Sequence, residues 1–382
     1  MSGRAKKAGE KQPVENKEKL NKIILAGNGF DLAHGLKTGY KHFIDAFWAS
    51  EKDKIISTFD MNRFVYEDEY IAIKCPPALG FIDRIKQIRG FSFIEELERL
   101  LHKEEPHMTG EKFTLSYKNT FLRDISKKSH LKNWVDIEVE YYMALNKCRE
   151  EKNGIENLNK DFFMIQAELE KYLTGQKITA TICGMDELFN SIINSQDKDT
   201  SVNFNNSVLF LDFNYTNTLN FYAIDLQKRW KNEILYIQIH GELNNPKNRI
   251  IFGYGDEIDD NYQLIESENN NEYLENVKSI KYLETDNYQK LLTFIDSNEY
   301  EIYILGHSCG IADRTLLNTL FEHENCLSIK VYYHKKNETT DNYSDIIRNI
   351  SRNFKDKPMM RKVVLNKPAC KPLLQSNGNE AP

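Results

Sequence analysis

Apolar positions along the chain follow two patterns. From about residue 52 to residue 194 they recur at spacings of three and four, while elsewhere they gather into short runs that end in Gly, Asn or His. The first run, Lys22–Ala26, stops at Gly27-Asn28-Gly29 and is followed by helix-compatible residues. A buried strand feeding a tight turn has this form. Phe30 to Trp48 reads as helix in two parts, interrupted near Gly35–Gly39. The spacing then predicts helices over Ile94–His102, Leu131–Lys147, Asp161–Leu173 and Met185–Ile193. Cys75-Pro76-Pro77 and Thr109-Gly110 break the pattern. At Ser207–Phe213 the period changes to that of a buried strand. A helix over Thr218–Trp230 and strands over Leu235–Ile239 and Arg249–Gly253 follow. Asp256–Asn271, acidic and Asn-rich, is expected to be a loop or lid. A helix over Tyr288–Ile295, a strand over Glu301–Leu305 and a helix to Glu322 come next. A strand over Ser328–Tyr333 and a helix over Tyr343–Phe354 complete the order.

Alternation of strand and helix predicts an α/β fold with a Rossmann-like, mostly parallel sheet and helices on both faces. The helical stretch, about residues 52–200, reads as a large insertion after the first strand-helix unit. One domain over residues 19–365 is expected. Residues 1–18 read as a solvated, disordered tail and 366–382 as a second one. Ligands of such sheets bind outside the carboxyl ends of the strands. Four polar turns fall at strand C-terminal ends, so they are expected to converge.

The 382 residues are 40% hydrophobic and 28% charged, which predicts a globular core. A net charge of −6 argues against a nucleic-acid-coating protein. No apolar run approaches the ~20 residues that span a bilayer. No apolar segment follows the N-terminal lysines, so no secretory signal is read and a cytoplasmic location is expected. Cys75, Cys148, Cys183, Cys309, Cys326 and Cys370 form no C-x-x-C pair, consistent with a reduced protein without structural zinc. No H-x-x-x-H or Walker pattern occurs, so no metal and no P-loop are expected.

Each turn carries candidate chemistry beside a structural alternative. In Gly27-Asn28-Gly29-Phe30-Asp31 the glycines let backbone approach a ligand, with helix N–H groups beyond them to face an anion; a purely structural turn is the alternative. Asn28 can bond a phosphate or ribose. Asp31 can cap the helix or accept from a ribose hydroxyl. Gly35 and Gly39 either approach the same ligand or are loop glycines. Asn214, just after a buried strand, can hold a ribose hydroxyl or water, or serve as turn former or N-cap. His240, followed by Gly241, suits a general base; a core histidine bonded to backbone is the alternative. Gly306-His307-Ser308-Cys309-Gly310 matches the G-x-S-x-G nucleophile elbow. That elbow needs an acid and then a histidine downstream, and only His323 and His334 remain. A second anion- or ribose-binding turn, with Ser308 donating and Asp313 accepting, fits better. In Trp134-Val135-Asp136-Ile137-Glu138 the carboxylates do not share a helical face. Trp134 and one carboxylate either pack over the site or lie on a solvated face.

The residues from Ile24 to Tyr40, with Asn28-Gly29-Phe30-Asp31-Leu32-Ala33-His34-Gly35 at their centre, resemble the opening signature of the bacterial AbiH proteins, the phage abortive-infection family. Asn133-Trp134-Val135-Asp136-Ile137-Glu138, Phe213-Asn214-Tyr215-Thr216, Ile239-His240-Gly241 and Gly306-His307-Ser308 with Asp313 fall in the expected order. The resemblance spans roughly Lys22 to Tyr333. A more distant likeness is to SIR2-like NAD-consuming domains. It implies that Gly27–Gly29 hold a dinucleotide, that Asn214 and His240 act at the nicotinamide ribose, and that Gly306–Ser308 hold the adenosine side. Gly-Asn-Gly-Phe-Asp replaces the sirtuin turn, and the sirtuin zinc cysteines are missing, which argues against protein deacylation. The likeness thus implies an anti-phage effector that hydrolyses NAD or a related nucleotide at its N-glycosidic bond, without a metal. A non-catalytic nucleotide-sensing module is the alternative, and a Ser308 esterase a weaker one. Expected partners are the nucleotide, a phage-derived trigger or companion defence protein, and further copies of the chain; no membrane partner is expected.

Overall fold

The computed structural model describes residues 20–376, except 60–63, 77–79, 89–91, 103–111, 129–133, 179, 195–205 and 232. The expected tail 1–18, the break at Thr109-Gly110 and the side chain of Trp134 lie outside the described residues. The chain opens with β1 (Asn21–Ala26), α1 (Asn28–Ala33) and α2 (Tyr40–Phe59). An insertion follows: β2 (Val65–Glu67), β3 (Ile71–Lys74), α3 (Phe81–Ile85), α4 (Ser92–Leu101), β4 (Thr114–Tyr117), α5 (Thr120–Ser126), α6 (Trp134–Glu151), α7 (Ile155–Thr174) and α8 (Met185–Ile193). The chain then returns through β5 (Val208–Asp212), α9 (Thr218–Arg229), β6 (Ile234–Gln238), α10 (Asp260–Ser267), α11 (Lys278–Lys281) and α12 (Asn287–Ser297). It ends with β7 (Tyr300–Leu305), α13 (Arg314–Phe321), β8 (Cys326–Tyr333), α14 (Tyr343–Asn353), α15 (Lys357–Val363) and β9 (Lys371–Pro372).

The main sheet runs β6-β5-β1-β7-β8-β9, and every pair in it is parallel. Numbered in chain order within the sheet, this is 3-2-1-4-5-6, the order of doubly wound dinucleotide folds. β1 is buried along its whole length and serves both faces. Ile23 and Leu25 pack with α12, α13 and α14, whereas Ile24 and Ala26 pack with α1, α8 and α9. Helices therefore cover both faces, as the alternation predicts. The order reverses between β1 and β7, so the crevice at their carboxyl ends is the topological switch point.

Several local expectations are corrected. The insertion is not only helical: β2, β3 and β4 form an antiparallel sheet of their own. Arg249–Gly253 is irregular rather than a strand, since Ile251 N–H donates to His240 O at 2.7 Å and Phe252 stacks on Phe162. Asp256–Asn271 contains α10, which is fastened to α6 by a 2.6 Å bond from Tyr142 to Asp259. Residues 366–376, expected to be disordered, form β9 against β8 and bury Cys370 and Leu373. Among the described residues, no helix is long and apolar enough to cross a membrane.

Candidate functional site

The two turns at the switch point are packed on each other. Gly29 N–H donates to Gly306 O at 2.8 Å. A Cβ on Gly29 would lie 2.6 Å from that oxygen, and one on Gly27 would lie 2.5 Å from His307 Cδ2. Gly306 has φ +71, and its Cβ would lie 2.1 Å from Phe30 N. Turn-on-turn contact therefore explains the absent side chains, and no ligand is needed to account for them. Gly27 occupies the N-cap of α1 and makes no side-chain cap bond, so the capping role considered for Asp31 is not used. Instead Asp31 Oδ2 accepts from Thr216 Oγ1 at 2.6 Å, while Oδ1 has no partner among the described residues. Burial raises the Asp31 carboxyl to about 6. Phe30 turns its ring into the core against His34, Phe189 and Tyr222.

A cavity of about 1010 Å3 opens at this crevice. Gly27, Asn28, Gly29, Asp31, Asn214, His240, Gly306, His307, Ser308 and Asp313 all line it, whereas Phe30 does not. Asn28 Oδ1 accepts from Thr38 Oγ1 at 2.6 Å, which ties the first turn to the α1–α2 connection. Asn214 stands two residues after the end of β5. Its backbone N–H donates to Asp212 Oδ1 at 2.9 Å and its Nδ2 donates to Gly27 O at 3.1 Å. The N-cap of α9 is Asn217, so Asn214 is not a helix cap. Its side-chain oxygen is left as an acceptor beside the turn.

Charge is concentrated on one wall. Asp313, buried after β7, accepts from Lys278 Nζ at 2.7 Å and lies 3.2 Å from His240 Nε2 and 3.5 Å from His307 Nε2. Lys278 also meets Glu138 Oε1 at 2.8 Å. His307 Nδ1 accepts from Cys309 N–H at 3.0 Å, so that nitrogen is bare and Nε2–H points to Asp313. Cys309 holds this geometry at a strained φ of +52. His240 Nε2 also lies 3.1 Å from Tyr282 Oη, and Phe213 sits edge-on to the imidazole.

Burial and charge push these groups apart. Burial and then the Lys278 charge lower His240 to about 4, so it is neutral at pH 7. Burial raises Glu138 to about 7 against the pull of Lys278. Lys278 and His240 hold Asp313 well below the usual carboxylate range despite its burial. Neighbouring carboxyls with values driven apart are a common mark of acid–base sites.

Asp313, His240 and His307 were all legible as turn residues. The sequence leaves Glu138 between the site and a solvated helix face; the structure turns it inward, while Asp136 is half-buried. Its signal is a carboxylate on the buried stripe of α6, four and seven residues before Tyr142 and Leu145. Lys278 and Tyr282 come from short helical turns without periodicity, and no sequence signal marks them. The nucleophile-elbow alternative finds no support in the downstream histidines. His323 bonds Asp296 at 3.0 Å and His334 bonds Gln375 at 2.7 Å.

Together these features define a doubly wound α/β protein with a charged, buried cluster beside the crevice at its switch point. The family described as bacteriophage abortive infection AbiH matches residues 23–335. The chain belongs to this family, which places it among proteins of bacteriophage abortive infection. No curated protein matches it.

Proposed function

We propose that this protein is an abortive-infection effector that hydrolyses NAD, or a related nucleotide, at the N-glycosidic bond in the manner of SIR2-like domains. The observation that carries the reading is the Glu138–Lys278–Asp313–His240 cluster, facing a dinucleotide-sized cavity at the switch point. Departure of nicotinamide leaves positive, oxocarbenium-like charge on the ribose. Asn214 Oδ1 receives a ribose hydroxyl or the attacking water, because its amide nitrogen is already committed to Gly27. His240 takes the proton through Nδ1, since Nε2 is held by Asp313 and Tyr282. Asp313 steadies the resulting imidazolium. Lys278 and Asp313 offset each other, so the charge of these two with Glu138 moves from about zero to −1 as Glu138 loses its proton. A negative cluster stabilises the developing ribosyl cation. Gly27–Gly29, Asp31 and Gly306–Ser308 contact the remainder of the nucleotide.

The test is nicotinamide release from NAD, followed by chromatography. Wild-type protein should exceed a His240→Ala variant by about 10²–10⁴-fold, the usual worth of a general base. Equal release from both, with protein from infected and uninfected cells alike, overturns the reading. One observation favours a sensing role without cleavage: Glu138 belongs to the insertion while Asp313 follows β7, so ligand in the crevice would be felt by both. Saturable binding with NAD recovered intact would favour that second reading.

A further inference from the structure

We infer that the mouth of the cavity is a phosphate subsite, in which Lys37 and Lys336 hold the phosphoryl groups of the nucleotide while its ribose faces His240. The inference rests on the proposed nucleotide site and adds the chemistry and the orientation of the ligand.

Lys278, the inner cation, is already neutralised by Asp313 and Glu138. The other two lysines lining the cavity are Lys37 and Lys336, and both are exposed. Neither forms an ion pair with a carboxylate among the described residues. For Lys336 a carboxylate is at hand in the same hairpin, where Lys336 N–H bonds Thr340 O and Asp341 follows. Asp341 instead pairs with Lys367 at 2.7 Å. Lys336 thus keeps its charge for the cavity. Lys37 stands on the α1–α2 connection, which is pinned by Tyr172 Oη on Lys37 O at 2.7 Å and by Thr38 on Asn28.

Uncharged donors accompany the two cations. Ser308 is exposed in the turn after β7, with its carbonyl committed to Asn349. His42 and His334 line the same cavity. Burial first, and then the charges of Lys37 and Lys336 respectively, lower the two imidazoles. Two cations and neutral donors around an opening suit a pyrophosphate and not a cationic or neutral ligand. In a chain of net charge −6 this local reversal of sign also selects for anions.

Calorimetry with NAD, nicotinamide mononucleotide and nicotinamide riboside tests this on the full chain. The riboside carries no phosphate. We expect wild type to prefer NAD to the riboside by about tenfold or more, and Lys37→Ala/Lys336→Ala to lose that preference. Lys336→Arg should retain it. The advantage of NAD should also shrink between about 50 and 200 mM salt. Both lysines are exposed, so thermal melting should show the double variant as stable as wild type. If the double variant binds NAD as tightly as wild type, or if the riboside binds as well as NAD, the subsite is wrong and the nucleotide reading stands. If wild type binds none of the three, both are overturned.

Discussion

Lys278 Nζ lies 2.7 Å from Asp313 Oδ1, and both residues are buried. With Glu138 at 2.8 Å on its other side, this lysine joins α6 of the insertion to the turn that follows β7. Desolvation makes such a contact costly to assemble and costlier to break. Lys278→Met should leave two carboxyls facing each other without their cation and destabilise the protein by about 3–5 kcal/mol. Adding Asp313→Asn should recover part of that loss. Urea unfolding of the single and double variants checks it; an additive result would mean that the lysine and the aspartate are not coupled.

The pH dependence follows from two opposed shifts. Glu138 ordinarily titrates near 4.5 and is raised to about 7 in the fold. Between those values the folded state holds the extra proton, so stability falls as pH rises. His240 ordinarily titrates near 6.5 and is lowered to about 4. Between those values the unfolded state holds the extra proton, so stability rises with pH. From about 4.5 to 6.5 these two slopes offset each other; between about 6.5 and 7 the Glu138 fall remains, beside that of Glu51, which burial also raises to about 7. Glu138→Gln removes the Glu138 fall. Its stability relative to wild type should therefore increase with pH from about 4.5 to 7, most steeply by about 1.4 kcal/mol per unit. Unfolding midpoints across this range measure it, and a pH-independent difference would contradict the assignment. If NAD is hydrolysed, release should rise through about pH 7 in wild type and lose that inflection in Glu138→Gln.

The glycines of the crevice separate two causes of strain. Gly306 combines φ +71 with a Cβ position 2.1 Å from Phe30 N. Gly80 has φ +59, but among the described residues nothing lies within 4 Å of where its Cβ would be. Gly80→Ala should cost only the left-handed backbone penalty, about 1–2 kcal/mol. Gly306→Ala should cost clearly more, because backbone on one side must move. Equal losses in thermal or urea unfolding would show that the two turns can separate without penalty.

These residues also show what was legible in the chain. β1, β5 and β7 stand out because each carries a run of four apolar residues, as strands buried on both faces do. The polar residues closing them were therefore placed at strand ends, and they do meet in one cavity. β2, β3 and β4 have only three or four residues each, too few for an alternation to be read. Arg249–Gly253 has the apolar content of a strand but pairs with none: Phe252 stacks on Phe162 of the insertion, while Ile251 joins the core on one face of the main sheet. β9 is two residues in a Lys- and Pro-rich stretch, so pairing with β8 overrides composition there. Lys278 is a lysine in polar sequence whose burial is decided wholly by tertiary contact.

Leu373, Gln375 and Ser376 line the cavity, so the end of the described chain is one of its walls. It hangs from β8 by two ladder positions and by Leu373 N–H on Tyr333 O at 2.8 Å. It then crosses to the first strand-helix unit, where Ser376 N–H donates to Ala33 O at 2.9 Å. Gln375 bonds His334 on the way. Apart from Leu373 and the half-buried Leu374, few apolar contacts hold this span. Opening it therefore costs far less than unfolding the sheet beneath. In hydrogen exchange, the amides of Leu373 and Ser376 should exchange well before those of Ile329 and Val331 in β8. Leu373→Ala should widen that gap, removing about 2 kcal/mol or more of local packing. A ligand that spans the cavity and touches this wall should slow the same two amides. If they are as protected as β8 without ligand, the segment opens only with global unfolding.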